Sequence, residues 1–151
     1  MTLNKLKIKQ RICNISLNNG NKKTSEKNVL KTLKKLQKLS KKQHTNIISL
    51  AIKNSTPAFK MNKQKLKKIK KKSNQEIPTF IQNNFLRINL SLKYIILNSR
   101  KRSESNSFYF KLSNEILESS ILKSSSIEQK TELQKQILMQ KNLFFKYRWK
   151  K

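Results

Sequence analysis

Two stretches hold most of the side chains that could do chemistry. From Lys60 to Lys72, eight of thirteen residues are lysine. At the far end, residues 144–151 read Phe-Phe-Lys-Tyr-Arg-Trp-Lys-Lys, rings alternating with cations. The chemistry these offer is recognition of a polyanion: ammonium and guanidinium groups neutralise phosphates, and aromatic faces stack on bases. Candidates for catalysis are few. His44 is the one histidine and has no acid or cysteine beside it in the chain. One glycine, Gly20, rules out a glycine-rich phosphate loop. Cys13 is alone, so neither a disulfide framework nor a thiolate metal cluster can form, and Cys13 reads as a small buried side chain. Glu115 and Glu118 lie one turn apart on an otherwise basic segment and read as local ion-pair partners. The expectation is a protein that is not an enzyme and uses no cofactor and no metal.

The whole chain shares this charge. Lys and Arg number 36 against 7 acids, all glutamate, for a net charge of +29 over 151 residues. Such a chain repels itself unless a polyanion screens it. Apolar residues make up 35%, enough for one modest core and one domain over 1–151. A membrane partner is not expected. The longest apolar run, Tyr94–Leu97, is far below the roughly 20 residues of a spanning helix. The first ten residues show no secretory signal and no transit-peptide composition. Lys, Asn, Ile, Leu and Ser dominate, the set written by AT-rich codons. Together these point to an organelle genome and to synthesis inside that organelle.

The elements that must position these cations are mostly helices. A basic N-terminal segment (1–18) leads to Asn19-Gly20, a turn signal. The stretch 25–42 sets Val29, Leu30, Leu33, Leu36 and Leu39 on one side, with Thr24 or Ser25 as cap. A third helix over 45–57 carries Ile47, Ile48, Ala51 and Ile52, capped by Thr45 and stopped by Pro57. Residues 58–78 break the pattern and read as a basic hairpin or, on composition alone, as a solvated loop. Ile81, Phe85, Ile88, Leu92 and Ile95, spaced 4, 3, 4, 3 and widened by Leu86, Leu90, Ile96 and Leu97, predict a central helix over 80–100. Tyr109, Leu112, Ile116 and Leu117 form the core side of a helix over 107–122. Overlapping capping boxes, Ser125-x-x-Glu128 and Ser126-x-x-Gln129, open a last helix through Leu133, Ile137 and Phe144. Phe144 and Phe145 should anchor that helix, leaving Tyr147, Arg148 and Trp149 in the tail (144–151) free for recognition.

The order of these pieces resembles the universal small-subunit ribosomal protein number seven, in its bacterial and organellar form. Residues 19–23 (NGNKK) resemble its glycine turn and paired basic residues, and 51–57 (AIKNSTP) its Ala-Ile/Val-x-Asn-x-x-Pro signature. Residues 75–78 (QEIP) resemble its Gln-Val-Pro, 90–96 (LSLKYII) its Leu-Ala-x-Arg-Trp-Leu helix, and 102–104 (RSE) with 111–120 (KLSNEILESS) its next segment. Residues 147–149 (YRW) are similar to its terminal Tyr-Arg-Trp. The resemblance implies a mainly α fold, a six-helix bundle with one protruding basic β-hairpin. It implies a structural constituent of the small ribosomal subunit that binds the 3′ major (head) domain of the ribosomal RNA and nucleates head assembly. The partners it implies are that RNA and neighbouring head proteins, with exit-site transfer RNA and messenger RNA nearby. The expected location is the mitochondrial ribosome in the matrix, with the plastid ribosome as the alternative. The hairpin departs from the family in carrying lysines where arginines are usual. Lysine lacks the bidentate fork, so binding should lean on the number of charges.

The RNA-binding residues expected are Lys22 and Lys23; Lys60, Lys63, Lys65, Lys67, Lys68, Lys70, Lys71 and Lys72 of the hairpin; Arg87, Lys93 and Arg102; and Tyr147, Arg148 and Trp149. Two other classes compete. A DNA-compacting protein of an organellar nucleoid explains the charge but not the ordered segments. A cationic amphipathic protein of a membrane surface needs one uninterrupted basic helix with a lipid-facing stripe.

Overall fold

A computed structural model describes residues 5–17, 19–39, 44–65, 74–104 and 106–139, with side chains except at 5–7, 63–65 and 74–77. Six helices and a two-stranded hairpin follow in the order α1 (Lys5–Ile15), α2 (Lys22–Leu39), α3 (His44–Ser55), β1 (Phe59–Lys65), β2 (Asn74–Phe80), α4 (Asn84–Lys101), α5 (Phe108–Ser120) and α6 (Ser125–Met139). This is the mainly helical fold with one small antiparallel hairpin that the sequence predicts. Among these residues, no helix is long and apolar enough to cross a membrane.

The helices pack around one core. α5 lies against α2, α3 and α4, and α4 also touches α1, α3 and α6. Ile12 of α1, Val29 and Leu36 of α2, Ala51 and Ile52 of α3, Leu92, Ile95 and Ile96 of α4, and Leu112 and Ile116 of α5 meet there. The predicted stripes are right in phase but too wide. Leu30 and Leu39 of α2 and Phe85, Leu86 and Leu97 of α4 are exposed, and Tyr109 is half-buried. Thr32 is buried while Leu30 is exposed, and the Thr32 hydroxyl donates to the Asn28 carbonyl at 2.9 Å. Each helix meets its neighbours along a narrow line, and periodicity cannot show how much of an apolar arc that line covers.

Loops and caps use both local and distant partners. Asn19 (φ 50°) and Gly20 (φ 75°) take the left-handed turn the Asn-Gly pair predicts. α2 begins at Lys22, so neither Thr24 nor Ser25 caps it. Ser25 instead faces inward, donating to the Cys13 carbonyl at 2.8 Å and meeting the Ser16 hydroxyl at 2.6 Å. Cys13 is itself buried, and burial pushes its thiol above the ordinary range. Thr45 lies inside the first turn of α3 and is not its cap. Asn83 does cap α4, its side-chain oxygen accepting from the Phe85 amide at 2.8 Å.

The Ala-x-x-Asn-x-x-Pro stretch ties four helices together. The Asn54 side chain donates to the carbonyls of Ser119 and Ser120, both at 3.1 Å, satisfying the end of α5. The Asn54 carbonyl accepts from Lys130 of α6 at 2.6 Å, the Pro57 carbonyl from Arg87 of α4 at 3.2 Å, and the Ile52 carbonyl from Ser91 at 3.2 Å. The hairpin leaves this junction. β1 and β2 pair antiparallel from Phe59↔Phe80 to Lys65↔Asn74. At its root the Phe59 and Phe80 rings meet edge to face, centroids 5.5 Å apart.

A bundle carrying +29 on this core is expected to be under-folded at low ionic strength. Its helical circular dichroism should rise on adding salt or ribosomal RNA, because both favour the compact state. A full, salt-independent helical signal in dilute buffer would contradict this.

Candidate nucleic-acid interface

Along α4, successive residues step by about 100° around the axis, so residues six apart face different flanks. Arg87 and Lys93 are so placed. Each lines its own concavity, and α4 is the ridge between the two.

The first is a trough of about 410 Å³ between α1, the hairpin root and α4. Its cations are Arg11, Lys60 and Lys93, and its apolar surface comes from Ile15, Ile81, Phe85, Leu86 and Leu90. The Arg11 guanidinium lies 4.0 Å over the Phe85 ring. The second is a cleft of about 650 Å³ between α3, α4 and α6, carrying Lys53, Arg87 and Lys130. Arg87 and Lys130 are held by backbone carbonyls, as described above, so their charged heads are positioned before any ligand arrives. Burial, and then Arg87, push the Lys130 amine below its ordinary range. No carboxylate lines either concavity among the described residues. Six cations therefore flank one helix with no described carboxylate in the lining of either concavity, and their charge suits a polyanion such as a phosphate backbone.

The predicted residues divide. Lys60 and Lys93 come together in the trough, and Arg87 sits in the cleft. Lys22 and Lys23 are exposed at the start of α2, where Lys22 faces Glu26 at 4.0 Å. Lys63 and Lys65 belong to β1, but their side chains lie outside the described residues, as do Lys67, Lys68, Lys70, Lys71 and Lys72. Phe144, Phe145, Tyr147, Arg148 and Trp149 lie outside them too.

Arg102 has a different environment. Its guanidinium grips Glu115 at 2.7 Å, Glu118, and Glu104 at 3.4 Å, and its side chain is 17% exposed. Those hydrogen bonds to Glu118 and Glu115 hold it above the ordinary arginine range. Glu115 is fully buried, and its second oxygen accepts from the Ser126 amide at 3.2 Å and hydroxyl at 2.5 Å. The carboxylate of α5 thus serves the first turn of α6. It places a carboxylate from another helix at the start of α6, where the Ser126-x-x-Gln129 box was expected to supply a neutral side-chain acceptor. Glu115 and Glu118 are not an i,i+3 pair with neighbouring lysines but the two arms of a clamp on Arg102.

Arg11, Lys53 and Lys130 were not singled out by the sequence. Arg11 had one signal, being one of only five arginines in a lysine-rich chain. Lys53 and Lys130 had none, because they look like every other lysine until α3 and α6 are brought together.

A strongly basic helical bundle with cation-lined concavities along one helix and a hairpin at its end is the form of an RNA-binding structural protein. Residues 2–141 match the family described as ribosomal protein S7p/S5e, and the chain belongs to that family. It is similar to the small ribosomal subunit protein uS7c of Euglena longa, 30% identical over 132 residues, which is 87% of this chain and 71% of that protein. Membership makes the chain a structural constituent of the small ribosomal subunit, and the similar protein is of the organellar type. It serves translation by binding ribosomal RNA and ribosomal proteins and is not an enzyme.

Proposed function

We propose that this protein binds the 3′ major domain of the small-subunit ribosomal RNA and nucleates assembly of the subunit's head. In the finished subunit it lies beside the exit-site transfer RNA and the messenger RNA path and touches neighbouring head proteins. One observation carries the reading: cations on both flanks of α4, positioned by backbone carbonyls and ring contacts and unopposed by lining carboxylates. Such a ridge suits a junction where several RNA helices present their backbones at once. The hairpin lysines and the tail residues Tyr147, Arg148 and Trp149 extend this surface in the proposal, and residues 1–151 act as one domain. Of the two organelles, the plastid is preferred over the mitochondrion, because the relative named above is of the plastid type.

Crosslinking in the intact organelle, followed by sequencing of the bound nucleic acid, tests this. Reads concentrated in the 3′ major domain are expected. Recovery of mostly genomic DNA would favour the nucleoid alternative, and scattered messenger RNA would sink both.

A further inference from the structure

The trough between α1, the hairpin root and α4 is ill suited to phosphate alone. Its floor is apolar, and Phe85 is 50% exposed and Leu86 47% exposed in the first turn of α4. A backbone-only contact would be better served by polar side chains, which cost nothing to leave in water. Two further features stand out. The Phe85 ring already carries the Arg11 guanidinium at 4.0 Å, making a flat, cationic stacking surface. Asn89, in the same lining, has a buried side-chain oxygen without a hydrogen-bond partner among the described residues, so its amide has capacity to spare.

We propose that this trough receives a single unstacked base of the bound RNA. The base lies on the Arg11–Phe85 pair and against Leu86 and Leu90, and Asn89 turns its amide to the base edge. Lys60 and Lys93 on the rim take the phosphates on either side. A single-stranded RNA segment is the occupant that matches all of this: a π-face for the ring, an edge for one amide, and negative charge for an uncompensated rim. The volume, about 410 Å³, is ample for one base and its sugar. This inference rests on the RNA-binding reading above and adds a base-specific subsite to it.

The test is binding of the full chain to a transcript of the 3′ major domain, measured across a salt series. Phe85→Ala should weaken binding about 5- to 150-fold, the equivalent of losing one stacked base, with the salt slope unchanged. Phe85→Trp should retain near-native affinity, since a ring is still present. Lys93→Gln should do what Phe85→Ala does not, lowering the slope by about 0.7–0.9 for one lost phosphate contact. Because Phe85 is half exposed, the Ala variant should melt near the parent, which a thermal scan checks. Native affinity in Phe85→Ala overturns the proposal and leaves the RNA-binding reading standing. A reduced slope in Phe85→Ala overturns it too, since the ring would then only aim Arg11 at a phosphate. A parent chain that does not prefer this transcript to unrelated RNA of equal length overturns both.

Discussion

Replacing Arg102 with alanine is expected to cost about 3 kcal/mol or more of fold stability and to leave the salt slope of RNA binding where it was. The cost follows from what remains behind. Glu115 is fully buried and would lose its 2.7 Å and 3.0 Å hydrogen bonds to the guanidinium. Ser126 alone cannot neutralise it. Removing one partner of a buried ion pair typically costs about 3–5 kcal/mol, mostly the penalty of the charge left in the interior. In a chain of this size that lowers the melting temperature by roughly 6–20 °C. The damage should spread to α6, whose first turn is held by the same carboxylate. Arg102→Lys should fall between, since an ammonium keeps the charge but cannot serve Glu115 and Glu118 together in the same geometry. Thermal melts followed by circular dichroism, at salt high enough to suppress global repulsion, would check the order. If Arg102→Ala melts like the parent but lowers the slope, Arg102 contacts RNA and the acidic clamp is a surface ornament of the free protein.

The second large effect is expected in the hairpin. Changing Lys67, Lys68, Lys70, Lys71 and Lys72 to glutamine removes five positive charges from one stretch of chain. Each lost phosphate contact should lower the slope of log affinity against log salt by about 0.7–0.9. The full set should therefore weaken binding by orders of magnitude at low salt and by far less at high salt. The melting temperature at moderate salt should hold or rise, because +29 becomes +24 and self-repulsion falls. An unchanged slope would show these lysines to be solvated in the complex. Set beside the Arg102 result, the two experiments separate cations that hold the fold from cations that hold the ligand.

That separation was not legible from composition. Arg102 and Arg87 look alike in the sequence, each a rare arginine near the predicted core. One is closed in by three glutamates from two segments, and the other opens on a cleft. Nor could the pattern show that Phe85, second in a regular stripe, stands in a trough rather than in the core. The turn of Asn19 and Gly20, the amphipathic phase of α2 to α5 and the break at the hairpin were legible, because each depends on residues within a turn or two of chain. Periodicity reports which side of a helix is apolar, and left-handed backbone reports glycine and asparagine. The net charge was legible as well, and with it the need for a polyanion.

What the sequence by itself determined, then, is a lysine-rich helical protein with one basic hairpin. Only the tertiary structure decided which cations are spent internally and which face outward. The reason is distance along the chain. Asn54 caps a helix that ends at residue 120, Glu115 serves a helix that starts at 125, and Arg11 stacks on a ring at 85. Electrostatic and hydrogen-bonding partners act over a few ångströms of space, and no local window contains both members of such a pair.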